Sequence, residues 1–204
     1  MKTDIIQITP DGVGISDVLQ ETEKAAAFRG LDRKQTLRLR LLAEEMTGML
    51  KTIVGPTKLR YWVESEGNHF SLHLTANALM NAELRNSLLK ASTSGKNAAA
   101  TGFMGRLREI FTRFSESDAA MMLPCDYGYG YVDVTGFDAS MDMSPNALLY
   151  GWSLSAYRDA VKEHRDDQPE QWDELEKSIT AKLADEIKIF FRKNTVEMVI
   201  EKAF

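Results

Sequence analysis

The chain encodes a two-layer α/β sandwich, a mostly antiparallel mixed sheet with helices packed on one face. Two hairpin patterns and the helical periodicity of the segments around them carry that expectation. Leu59, Tyr61 and Val63 alternate with Arg60, Trp62 and Glu64, Glu66-Gly67-Asn68 makes a turn, and Phe70, Leu72 and Leu74 then alternate with His69, Ser71 and His73. Ile187, Ile189 and Phe191 repeat the pattern, with a tight turn at Lys193-Asn194 before Val196, Met198 and Ile200. Strands joined by turns this short are antiparallel, because a parallel pair needs a crossover of about a dozen residues or more. Each hairpin is apolar on one face and mostly polar on the other, so helices cover one face and the other meets water or a partner.

The remaining elements follow in chain order. Asp4–Ile8 reads as a short strand closed by the turn Pro10-Asp11-Gly12. Ser16 is the expected N-cap of a helix that carries Val18, Thr22, Ala25 and Ala26 at helical spacing and stops at Gly30. Asp32 with Gln35 has the form of a capping box opening a second helix, Asp32–Val54. On that helix Leu39, Leu42, Met46, Met49, Leu50 and Ile53 share the core side. Arg40, Glu44, Thr47 and Lys51 share the other, with Leu37, Leu41 and Gly48 beside them. Further helices are expected at Ala78–Ala91, Phe103–Phe114, Pro145–His164 and Pro169–Glu186, the last two started by prolines in a first turn. Ser92–Gly102 is small and polar, and Ser115–Ser144 carries paired methionines and a Tyr/Gly alternation, so 92–144 is expected to form an irregular, lid-like covering segment.

Composition narrows the function. The length of 204 residues suits a single domain, 1–204, and 44% hydrophobic with 27% charged residues is ordinary for a globular protein. A formal charge of −5 speaks against a nucleic-acid partner, which would be met by a basic stripe. Cys125 is the only cysteine, so no intramolecular disulfide forms and a reducing, cytoplasmic location is expected. No leader pattern and no run of about eighteen apolar residues is present, so no membrane partner is expected. His69 and His73 share a strand face but stand about 13 Å apart by strand rise, too far to hold one metal, and no metal site is expected.

The motif that points furthest lies in Asp32–Val54, within Leu41-Leu42-Ala43-Glu44-Glu45-Met46-Thr47-Gly48-Met49-Leu50-Lys51. This run resembles the first motif of the GHKL (histidine-kinase-like) ATPases and kinases, and most closely that of their anti-sigma-factor serine-kinase branch. In that family a Glu is followed four residues later by an Asn that helps hold the Mg²⁺ of Mg-ATP. Glu44 matches the Glu, which the resemblance makes the general base that activates the attacking hydroxyl or water, while Gly48 stands in the Asn position. The alternative for Glu44 is an exposed pair with Arg40, worth a few tenths of a kcal/mol.

The resemblance spans the chain in element order: strand, helix, motif helix, hairpin, lid-like region and closing strands. The family's D-x-G-x-G, whose Asp accepts from the adenine amino group, falls here on Thr75-Ala76-Asn77-Ala78-Leu79-Met80. Ala76 cannot accept that bond, Ala78 and Met80 add bulk at the glycine positions, and Thr75 or Asn77 is the available substitute. A literal D-x-G-x-G at Asp126-Tyr127-Gly128-Tyr129-Gly130 lies far from the hairpin and is read as a coincidence of a short string. Gly102-Phe103-Met104-Gly105-Arg106 loosely matches the family's phosphate loop, where a helix N-terminus, with Lys96 and Arg106, would attract phosphate.

The resemblance therefore implies a regulatory protein of the anti-sigma type, with weakened or lost Mg-ATP binding, that acts by protein–protein interaction. No cofactor and no active ATPase or kinase is expected. The implied partner is another signalling protein, of the sigma-factor or anti-sigma-antagonist type, with a homodimer left open. The nucleotide-pocket positions are Gly48, Lys51, Thr75, Ala76, Asn77, Gly102, Gly105 and Arg106. Two alternatives stay open: an active serine kinase using Mg-ATP with Glu44 as base, and a small-molecule sensor in the vacated pocket. The polar hairpin face of Arg60, Trp62, Glu64 and His73 is the expected docking surface, with Trp62 as anchor; the competing reading has a terminal segment covering Trp62.

Overall fold

The computed structural model describes residues 1–54, 57–77, 150–163, 175, 178–192 and 195–204. They form β1 (Ile6–Ile8), α1 (Ile15–Phe28), α2 (Arg33–Val54), β2 (Leu59–Glu66), β3 (His69–Asn77), β4 (Tyr150–Ser153), α3 (Leu154–Glu163), α4 (Ile179–Leu183), β5 (Glu186–Arg192) and β6 (Thr195–Ala203). The strands make one six-stranded sheet in the order β1-β2-β3-β6-β5-β4. Every pairing among them is antiparallel. The expected two-layer sandwich is thus present, and both hairpins fall where the alternation placed them.

Register explains where the core sits. Ile6, Tyr61, Leu74, Met198 and Ile189 lie side by side across the sheet, as do Val63, Leu72, Ile200 and Ile187. These positions share one face because side chains alternate along a strand. Tyr61, Val63, Leu72, Leu74, Met198, Ile200 and Ile187 are fully buried there. Against them pack α1 over β1 and β2, α2 over β3 and β6, and α3 over β4 and β5. α1 and α4 both touch α2, so its buried arc is wider than one stripe. Thr47, expected on the outer side, is buried in consequence and donates to the Glu44 carbonyl at 2.7 Å.

The sheet has an internal pseudo-two-fold arrangement. The shift along the chain that carries His69–Asn77 onto Thr195–Ala203 also carries Trp62 onto Lys188. The pairings agree: Trp62 stands opposite His73 as Lys188 stands opposite Val199, and His73 meets Val199 at the midpoint of β3 and β6. Among the described residues, each half places an edge strand and helical segments before a hairpin, β1 before β2-β3 and β4 before β5-β6. The edge strands differ, since β1 pairs low on β2 and β4 pairs high on β5.

Caps account for the element ends. Asp32 accepts from the Gln35 N–H at 2.8 Å and Gln35 accepts from the Asp32 N–H at 2.9 Å, the capping box read in the sequence. At the end of α1 the Leu31 N–H reaches the Ala26 carbonyl and the Gly30 N–H that of Ala27, with Gly30 at φ 74. That is the Schellman arrangement, in which a left-handed glycine turns the chain out of the helix. α1 starts earlier than expected: Gly14, not Ser16, is its N-cap, at φ 97 and without a side-chain cap.

The largest departure is at 150–163. The expected helix Pro145–His164 is, in its described part, strand β4 followed by helix α3. Tyr150 and Trp152 pair with Phe191 and Ile189, which extends the sheet to an edge strand. The switch at Ser153 is fixed by hydrogen bonds at the start of α3. Ser153 Oγ accepts from the Ala156 N–H at 3.2 Å, and Glu186 Oε1 accepts from Leu154 N–H at 2.8 Å, Ser155 N–H at 3.2 Å and Ile187 N–H at 2.8 Å. A carboxylate from a strand distant in sequence thus caps α3. Glu186→Ala is expected to cost about 1–3 kcal/mol in urea unfolding by stripping the cap. Glu186→Gln, which keeps an acceptor oxygen, should recover most of that loss. In the expected helix Pro169–Glu186, the described part holds α4, capped by Ser178 Oγ accepting from Ala181 N–H at 3.1 Å, and gives way to β5 at Glu186. The expected helices at 78–91 and 103–114 and the lid-like segment 92–144 lie outside the described residues.

Candidate functional site

Two places hold the expected functional residues. The first is the solvent-facing stripe of α2, opposite its buried side chains. Glu44 and Gly48 are exposed one turn apart and Lys51 is half-buried one turn on. Arg40 pairs with Glu23 of α1, which ties the two helices together, and not with Glu44. Among the described residues, nothing stands within 4 Å of a Cβ built on Gly48. Lys51 Nζ would stand 3.5 Å from a Cβ on Gly12, which sets the ammonium beside the β1–α1 turn. In that turn the Asp11 carboxyl is held below its ordinary value, first by the Thr9 hydroxyl and to a lesser degree by Lys51.

The end of β3 distributes its three candidates differently. Ala76 is buried on the helix-covered face between Leu59 and Val196. Thr75 is buried on the opposite face, where its hydroxyl accepts from Arg60 Nε at 3.4 Å. Asn77 is exposed, and its carbonyl accepts from Thr57 Oγ1 at 3.2 Å. The thickness of the sheet therefore stands between the Thr75 hydroxyl and α2. Glu44, Gly48 and Lys51 share a stripe; Thr75 does not face it. Gly102, Gly105 and Arg106, with the string Asp126–Gly130, lie outside the described residues.

The second place is the outer face of the sheet, and here the expected docking residues do come together. Trp62 and His73, paired across β2 and β3, stack with ring centroids 4.8 Å apart and planes 7° apart. Glu64 Oε1 accepts from Trp62 Nε1 at 2.9 Å, and His73 Nδ1 lies 3.4 Å from Glu197 Oε1. Arg60 reaches Thr75 one pair further along. Two participants escaped the sequence reading. Glu197 arrives on β6, which pairs with β3. Lys2 bridges to Glu64, bonds its carboxylate at 2.9 Å and places Nζ 5.1 Å from the Trp62 ring centroid. Both contacts join residues remote in sequence, so no local pattern announces them. Glu64 is held below its ordinary pKa, first by the hydrogen bond from Lys2 and then by that from Trp62. The terminal-segment reading thus holds for the Lys2 side chain, although Trp62 stays partly exposed.

Comparison of the chain with protein-family models, curated proteins and solved structures finds no match. Among the described residues no group of three or more His, Cys, Asp or Glu side chains could hold a metal ion. No described helix is long and apolar enough to cross a membrane.

Proposed function

We propose that the chain is a regulatory module of the anti-sigma, histidine-kinase-like type that has weakened or lost Mg-ATP binding and acts by docking to another signalling protein. The observation that carries this reading is Gly48. On the exposed stripe of α2, one turn after Glu44, it carries no side chain where the resemblance calls for an oxygen ligand to Mg²⁺. Ala76, buried beneath the helices, offers adenine no acceptor. The outer sheet face supplies what a docking surface needs, an aromatic anchor set among charged groups.

Calorimetric titration with Mg-ATP tests the reading. The folded wild-type protein is expected to give no heat at millimolar nucleotide, and Gly48→Asn to be as stable as wild type because no described residue stands within 4 Å of its Cβ. Micromolar binding by wild type would overturn the module reading in favour of the serine kinase, whose phosphoryl transfer Glu44→Ala should then abolish. Phosphoryl transfer would then be the next assay.

A further inference from the structure

We propose that Trp62 and Glu64 form a seat for a cationic side chain, a lysine or arginine on a basic segment of a partner protein, and that Lys2 fills this seat in the free protein. The inference deepens the docking reading above and rests on it. Its starting point is the ammonium already in place: Lys2 Nζ lies over the indole and 2.9 Å from the Glu64 carboxylate. An aromatic face with an adjoining carboxylate is the pairing that attracts a cation, by the ring quadrupole and by direct charge.

The seat is organised independently of its occupant. Glu64 fixes the indole through Nε1, and His73 stacks on the ring from β3, on the side away from the Lys2 segment. Glu197, against His73, adds a second carboxylate to the same surface. Among the described residues of this face, Lys188 bonds Glu201 at 2.7 Å and Arg60 Nε donates to the Thr75 hydroxyl at 3.4 Å. Lys2 itself is loosely held: its side chain is 57% exposed, and a surface ion pair of this kind is weak. Its backbone neighbours, Met1 and Thr3, hydrogen-bond to β2, so the side chain can swing away while the segment stays paired. A chain of net charge −5 also favours approach of a basic segment over an acidic one.

The test is a titration of the full chain with acetylated tetralysine amide, followed by the Trp62 indole N–H signal in two-dimensional NMR. The three tryptophans give three such signals, and Trp62→Phe assigns the right one. The expected result is a saturable shift of the Trp62 signal that weakens with salt. It should be about two- to fivefold tighter in Lys2→Ala, which removes the internal competitor. Glu64→Gln keeps an acceptor for the indole but removes the charge, and should lose the binding. An absent shift in Lys2→Ala at millimolar peptide, an unchanged affinity in Glu64→Gln, or an equal response to tetraglutamate would each overturn the proposal. Mg-ATP binding in the calorimeter would retire the module reading without altering the Trp62 titration, so the two failures are distinguishable.

Discussion

Gly14→Ala is expected to destabilise the protein by about 3–5 kcal/mol, the largest effect of any single-methyl substitution among the described glycines. Two penalties fall on the same atom. Gly14 has φ 97, a backbone conformation that side chains disfavour, and a Cβ there would lie 2.3 Å from the Gln7 carbonyl oxygen and 3.3 Å from Ile8 Cα. Those neighbours are backbone of β1, held in register by β2, so they cannot step aside as a flexible side chain would. The alternative is to shift the start of α1, which would pull Val18 out of the core. Gly30→Ala is the control. It shares the positive φ, at 74, but its Cβ meets nothing within 4 Å, so about 1 kcal/mol is expected. Urea unfolding of the two variants separates backbone strain from collision. Equal losses would show that the close approach of α1 to β1 contributes nothing.

Tyr61→Ala should cost about 3–5 kcal/mol, the usual range for emptying a buried aromatic site. Tyr61 is fully buried on β2 under α1, and its hydroxyl lies 2.7 Å from Thr22 Oγ1, which in turn donates to the Val18 carbonyl at 2.7 Å. Burial raises the tyrosine pKa above its ordinary value, so the group stays a neutral donor. Cavity and hydrogen bond are separable by substitution. Tyr61→Phe fills the cavity and removes only the hydroxyl, at about 0.5–1.5 kcal/mol, because Thr22 keeps its bond to Val18. Thr22→Val leaves the buried tyrosine hydroxyl without that acceptor and should cost more, about 1–3 kcal/mol. If Tyr61→Phe proved as damaging as Tyr61→Ala, the hydrogen-bond chain and not packing would dominate this junction of α1 and β2.

Much of the fold was legible because it is local. The alternation in Leu59–Leu74 and in Ile187–Ile200, the Asp32/Gln35 box and the glycine at position 30 each act within a few residues, and each stands where the pattern placed it. The start of α1 differs from the expected one because Ser16 satisfies only a local capping preference. What decides the N-cap is the contact of Gly14 with β1. The segment before α3 departs from its expected helix for the same reason: the start signal at Pro145 is local, whereas the edge-strand pairing and the Glu186 cap come from β5. For the candidate sites, Trp62, Arg60 and His73 could be grouped by alternation alone. Lys2 and Glu197, which complete the cluster, could not.

By itself the sequence determined the two hairpins, the amphipathic α2 with Glu44 and Gly48 on its open stripe, and the polar outer face that carries Trp62. These depend on side-chain periodicity and short-range hydrogen bonds, which are written in neighbouring residues. Only the tertiary structure decided the pairing of β3 with β6, the pseudo-two-fold arrangement that follows from it, and the meeting of Lys2, Trp62, His73 and Glu197 on one surface. The related halves keep the same inward and outward alternation with almost no residue in common: Asn68 and Asn194 are the one identity between 59–77 and 185–203. Burial asks of each position only that it be apolar or polar, so the symmetry resides in the packing and leaves no repeat to read.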